Sequence, residues 1–133
     1  SLIKGNNLHR VVLMRDNADK ALMIEPYTTT PPLGSPNPRD LWKWMANWEK
    51  ETGGKMLAIP HNGNLSNGWM FPLVDNFDKD NPLDDAYLST RSRWEPLVEI
   101  TQTKGDGEAH PLLSPDDAFA DFETWDMGNL DVS

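Results

Sequence analysis

Cysteine is absent from the 133 residues, which excludes disulfide staples, thiolate metal sites and cysteine nucleophiles together. The compartment stays open, because a packed core can take the place of disulfides. Basic residues are scarce: 12 Lys plus Arg stand against 21 Asp plus Glu, a net charge of −9. That imbalance repels nucleic-acid backbones and anionic lipid, so neither nucleic acid nor a membrane surface is expected as a partner. No apolar run reaches the roughly 18 residues of a membrane span, and the N-terminus lacks the cationic-then-apolar pattern of a signal peptide. A phosphate-cradling glycine loop and a serine elbow are also missing, which leaves kinase, P-loop and hydrolase-triad chemistry without support. What is present is apolar bulk. Hydrophobic residues make up 38% of the chain, with 6 Trp and 4 Phe, enough for one modest core in a single α/β domain over residues 1–133. The chain enters a strand-like run almost at once, so a portion of a larger domain is expected.

The pattern along the chain alternates strands with helices. His9 to Arg15 and Ala21 to Glu25 read as strands, separated by a polar turn at Asp16 to Asp19. Residues 26–38 hold five prolines and a glycine, which predicts a loop. Asn37 as cap, Pro38 in the first turn and Leu41, Trp44, Met45 and Trp48 at helical spacing predict a helix over about 38–52, ended by Gly53-Gly54. Lys55 to Pro60 follows as a short buried strand, and His61 to Gly68 (HNGNLSNG) as a loop leaving its C-terminal end. A helix over about 83–94, a strand over 97–102, a turn at Gly105 to Gly107 and a helix from Ser114 to about Thr124 complete the order. Strand and helix in alternation point to a parallel α/β sheet.

In such sheets functional groups gather on loops that leave strand C-termini, which singles out two segments. His61, with Asn62 and Asn64 after it, places an imidazole just past a strand with amides to orient it or meet a ligand. A histidine bonded to a loop carbonyl explains the same residues. In the second segment, alternation sets Glu99 and Thr101 against Val98 and Ile100, so Glu99 faces either solvent or a polar interior. Glu108 and His110 share a side if extended. Histidine nitrogen with carboxylate oxygen and no thiolate suits zinc, manganese or iron. Other features read as structural. Asp78 and Asp80 imitate the start of a calcium loop, but Pro82, Leu83 and Ser89 stand where that loop needs an oxygen ligand, a glycine and a bidentate glutamate. Trp44 and Trp48 read as core residues, and His9 as a strand-end residue without polar company. Asn64-Leu65-Ser66 matches a glycosylation acceptor, with meaning only in a glycosylating pathway.

The runs LHRVVLMRD, LWKWMANWE, LAIPHNGNLSNGWMF, RWEPLVEITQTKGDGEAHPLLSP and FADFETWDMGNL resemble the domain-of-unknown-function 3604 family. That family is similar to the PHP (polymerase and histidinol phosphatase) superfamily of metal-dependent phosphoesterases. The resemblance implies a partial PHP-like (β/α) barrel with parallel strands and flanking helices. It implies a divalent metal held by His61 and His110, Glu99 and Glu108 as acid–base groups, and Asn62 and Asn64 shaping a pocket for a phosphoester or other small-molecule substrate. The chain has no His-x-His and no Asp-x-His, pairs that a PHP-type site uses, so it resembles an internal section of such a barrel. A section of this kind is expected to be inactive alone and to cover its strand edges by forming a homodimer. The competing expectation is a non-catalytic binding or structural module, with these histidines and acids as polar loop residues and no metal site.

Overall fold

A computed structural model describes residues 2–3, 5–102, 105–106, 110–112 and 114–121. In chain order the elements are β1 (Leu2–Ile3), β2 (Asn6–Asn7), β3 (Arg10–Met14), α1 (Ala18–Ala21), α2 (Pro38–Thr52), β4 (Met56–Pro60), a 3-10 turn at Gly63–Leu65, α3 (Asp85–Trp94), β5 (Thr101–Gln102) and β6 (Gly105–Asp106). Helix α2 starts where Asn37 Oδ1 accepts the Arg39 N–H at 3.0 Å and Pro38 occupies the first turn. It stops at Gly53, whose φ of 66° suits a residue without a Cβ. Gly54 then passes so close to Trp48 that a Cβ there would lie 2.2 Å from the indole. The helix therefore turns directly into β4.

The parallel barrel expected from the sequence is overturned. β3 and β4 pair antiparallel, Arg10 opposite Pro60 and Met14 opposite Met56, and the described strands form three two-stranded sheets with no closed barrel. The cause is the proline-rich segment after α1. In a parallel crossover the helix runs back against the first strand, so that the second strand starts where the first did. Here Trp42, early in α2, shares the Glu95 carboxylate with Arg10 at the start of β3. Late in α2, Trp48 Nε1 donates to Lys20 O, and Glu49 accepts the Met56 N–H at 2.9 Å. The return trip is thus made by residues 22–37 rather than by the helix, α2 runs alongside β3, and β4 has to come back down. Lys55 N–H on Asp16 Oδ2 at 2.8 Å closes the junction.

Three further expectations are corrected. Residues 21–25 form no strand: Asn17 caps α1 by accepting the Lys20 N–H, so the segment taken as a turn starts a helix and leaves Leu22 and Met23 exposed. Residues 97–100 have no regular pairing, because α3 ends at Trp94 with Glu95 as its cap, Pro96 follows, and Glu99 turns its carboxylate to the backbone of Asn62; of residues 97–102 only Thr101–Gln102 pairs, with Gly105–Asp106. Ser114 to Asp121 is a run of turns. Asp117 Oδ1 accepts the Phe119 N–H at 2.9 Å, a local bond that competes with helix, and residues 122–124 of the expected helix lie outside the described residues.

The core is the space between α2, α3 and one face of the β3/β4 sheet. Leu41, Trp42, Met45 and Trp48 of α2 meet Met56 and Ala58 of β4 and Tyr87 and Trp94 of α3. Trp42 is buried here, whereas Trp44, expected in the core, is partly buried at its margin against Tyr27. Arg39 fastens the irregular stretch that precedes α3. It bonds Asp75 at 3.0 Å and the carbonyls of Asn81 and Pro82, and its guanidinium lies 4.5 Å from the Tyr87 ring centre. The opposite face of the sheet is left apolar and open, with Val11 44% and Leu13 48% exposed.

Candidate functional site

The antiparallel register makes the site. Beyond Arg10 and Pro60 the ladder continues one rung further, with the His61 N–H donating to His9 O at 2.9 Å. Residues facing each other across a rung put their side chains on one side of the sheet. The two imidazoles accordingly stack, ring centres 6.4 Å apart and planes within 10°. The same side carries Val11 and Leu13, so the imidazole pair closes one end of the open apolar face. His9 also lines a cleft of about 460 Å³ between β3, the 26–38 loop and α2, walled by Val12, Tyr27, Leu41 and Trp44.

Asn62 holds the neighbouring backbone. It adopts a left-handed φ of 55°, a conformation that asparagine tolerates better than most residues. Its N–H donates to Glu99 Oε2 at 2.7 Å, and its carbonyl accepts from Asn7 Nδ2 at 3.1 Å and from the Leu65 N–H at 3.0 Å. Asn7 Nδ2 donates to the His61 carbonyl as well. With both β2 residues buried, this short hairpin, turned at Gly5 with φ 85°, clamps the strand exit from beneath. The second Glu99 oxygen lies 3.9 Å from His61 Nε2, and the two side chains are 26% and 35% exposed. On its other side the His61 ring meets Asn62 Nδ2, 3.0 Å from Nδ1. Two buried amide oxygens, Asn62 Oδ1 and Asn6 Oδ1, have no hydrogen-bond partner among the described residues.

Of the residues singled out from the sequence, His61, Asn62 and Glu99 come together. Asn64 lies in the adjoining 3-10 turn. His110 is exposed, and its Nδ1 accepts the N–H of Leu112 within its own turn. Glu108 lies outside the described residues. Glu99, 26% exposed, faces no barrel interior but turns to the Asn62 N–H, while Leu97, Val98 and Ile100 are exposed. His9 and Asn7 were missed. A parallel arrangement would set the start of one strand far from the end of the other, so His9 had no reason to meet His61. Antiparallel pairing puts His9, before β3, opposite His61, after β4. Sequence alternation carries no signal for strand direction.

His61 Nε2 and Glu99 Oε1, 3.9 Å apart, are an imidazole and a carboxylate donor of the types that would hold a divalent ion. Among the described residues no group of three or more His, Asp or Glu side chains is placed to hold an ion. No helix among the described residues is long and apolar enough to cross a membrane. No curated protein and no solved structure shows significant similarity to the chain. A family model does match, over residues 1–133, and the chain belongs to that family, described as protein of unknown function (DUF3604).

Proposed function

We propose that the chain carries part of the site of a divalent-metal-dependent hydrolase of the phosphoester-cleaving type, with His61 and Glu99 as metal ligands. The observation that carries this reading is the approach of Glu99 to His61 Nε2 at 3.9 Å while its other oxygen is fixed by the Asn62 N–H. A carboxylate so held is restrained beside the ring, which favours ion binding. Zinc, manganese or iron matches the donor types, and such an ion acts as a Lewis acid toward a phosphoryl oxygen. His110, bonded within its own turn, has no part in this reading.

Calorimetric titration of zinc or manganese into protein purified without a metal-affinity step tests it. Near-stoichiometric uptake is expected, lost in His61→Ala, weakened at least tenfold in Glu99→Gln and unchanged in His110→Ala. Uptake that His61→Ala leaves intact, or none above background in the unsubstituted chain, overturns it.

A further inference from the structure

The group of this cluster that hydrogen bonding leaves unexplained is the side-chain amide of Asn62. It is buried, its backbone is fixed by three hydrogen bonds, and its oxygen has no hydrogen-bond partner among the described residues while its nitrogen meets His61 Nδ1 at 3.0 Å. An amide nitrogen can only donate, so in this orientation Nδ1 accepts and the proton of the neutral ring sits on Nε2, on the Glu99 side. An imidazole carrying its proton on Nε2 has no lone pair there for a cation. Turning the amide by 180° exchanges its ends at almost no change in shape. The oxygen then accepts a proton on Nδ1, the NH2 takes the place the oxygen held, and Nε2 presents its lone pair to the Glu99 side. Metal-ligating histidines are commonly oriented by an acceptor on their other nitrogen in this way.

We propose that Asn62 is a positioning residue that selects the tautomer of His61: amide nitrogen inward, with Nε2–H facing Glu99, in the cation-free protein, and amide oxygen inward, with Nδ1–H, when a divalent cation lies between Nε2 and Glu99. The second half rests on the metal-site reading above; the first half stands on the hydrogen-bond geometry alone. Asn62 acts through His61 and has no contact with substrate in this role. Its left-handed backbone also restricts what can replace it, since aspartate and glycine tolerate that φ while β-branched residues do not.

Long-range proton–nitrogen NMR on histidine-labelled protein, at a pH where the imidazoles are neutral, reads the tautomer directly. The chain has three histidines, and His9→Gln and His110→Gln assign them. Cation-free protein is expected to show a pyridine-type Nδ1 and a pyrrole-type Nε2 for His61, and saturation with zinc to exchange the two. Asn62→Asp, whose carboxylate only accepts, should show pyrrole-type Nδ1 before any zinc is added; Asn62→Gly, which keeps the backbone and deletes the amide, should show averaged shifts. Unaltered His61 shifts in both variants, with an unchanged circular dichroism spectrum, overturn the proposal. If Asn62→Asp exchanges the tautomer but zinc leaves His61 undisturbed, tautomer selection stands and the metal-site reading fails.

Discussion

Glu95 is where a single substitution should cost most. Its side chain has no solvent exposure, and those of Arg10 and Arg91 are 5% and 14% exposed. Oε1 accepts from Arg10 Nε at 2.9 Å and from the Trp42 indole at 3.1 Å, and Arg91 Nη2 lies 3.0 Å from Oε2 as an ion pair. One carboxylate thus joins β3, the start of α2 and the end of α3. In Glu95→Ala the Arg10 guanidinium keeps only the Leu8 carbonyl, at 3.0 Å, and the Trp42 N–H is left in the core without this acceptor. Removing one partner of a buried pair costs about 3–5 kcal/mol, because the remaining charge stays desolvated. Domains have about 5–15 kcal/mol in total, so the variant should lose about a fifth or more of its stability. With a urea dependence of about 2 kcal/mol per molar, the midpoint should fall by about 1.5–2.5 M. Glu95→Gln keeps an acceptor for Trp42 and removes the charge, and its loss should be smaller. A midpoint shift below about 0.5 M in Glu95→Ala, or equal shifts in the two variants, would refute the assignment of this carboxylate as the joint of the fold.

Two other outcomes follow from the packing and the charges. Trp48, 1% exposed, should cost about 3–5 kcal/mol as Trp48→Ala, and Trp44→Ala, at the margin of the core, clearly less; equal midpoints in a urea melt would contradict the burial order. Glu49 is held below its ordinary 4.5: burial pushes its carboxyl up, and the Met56 N–H, Lys55 and Arg93 outweigh that. Asp75 is likewise held below 3.8, where burial is outweighed by the N–H groups of Phe77 and Asp78 and by Arg39. A carboxyl with a lowered folded-state pKa stabilises the fold above its ordinary value and ceases to do so as the pH falls through the lowered one. Unfolding free energy should therefore hold steady above about pH 5 and decline below it, with a shallower decline in Glu49→Gln; an unaltered slope there removes Glu49 from the account.

Local signals in the sequence were legible where one residue decides the geometry by itself. Asn37, Pro38 and Gly53 set both ends of α2; the cap of α3, Asp84 accepting the Tyr87 N–H at 2.9 Å, was not read from the sequence. Strand direction was not legible, because Val12 and Met14 alternate with Val11 and Leu13 in the same way whichever way the partner runs. What decides it is how far residues 22–37 travel before the helix begins, and a proline-rich segment reveals that it is irregular without revealing its reach. The site shared that limit. His61 stood out as the residue after a strand, and Glu99 as the polar member of an apolar alternation, but a bond to a loop carbonyl explained the first as simply and solvent the second. Asn62 had two readings as well, a loop former and a pocket residue, and the structure shows it to be the backbone anchor for Glu99.

The polar cluster and the exposed apolar face have one origin. Core burial claims a single face of the β3/β4 sheet, the one bearing Val12, Met14, Met56 and Ala58. Everything on the other face, His9 and His61 included, is left without that driving force and has to be organised by directional bonds. Asn7 fixes the carbonyls of His61 and Asn62, and Glu99 takes the Asn62 N–H. Hydrogen bonds of this kind contribute only about 0.5–1.5 kcal/mol each to stability, far less than the core, but they restrict orientation in a way that apolar contacts do not. The His61 ring is thereby set between an amide on one nitrogen and a carboxylate on the other, and its chemistry is governed by which of the two holds the proton's place.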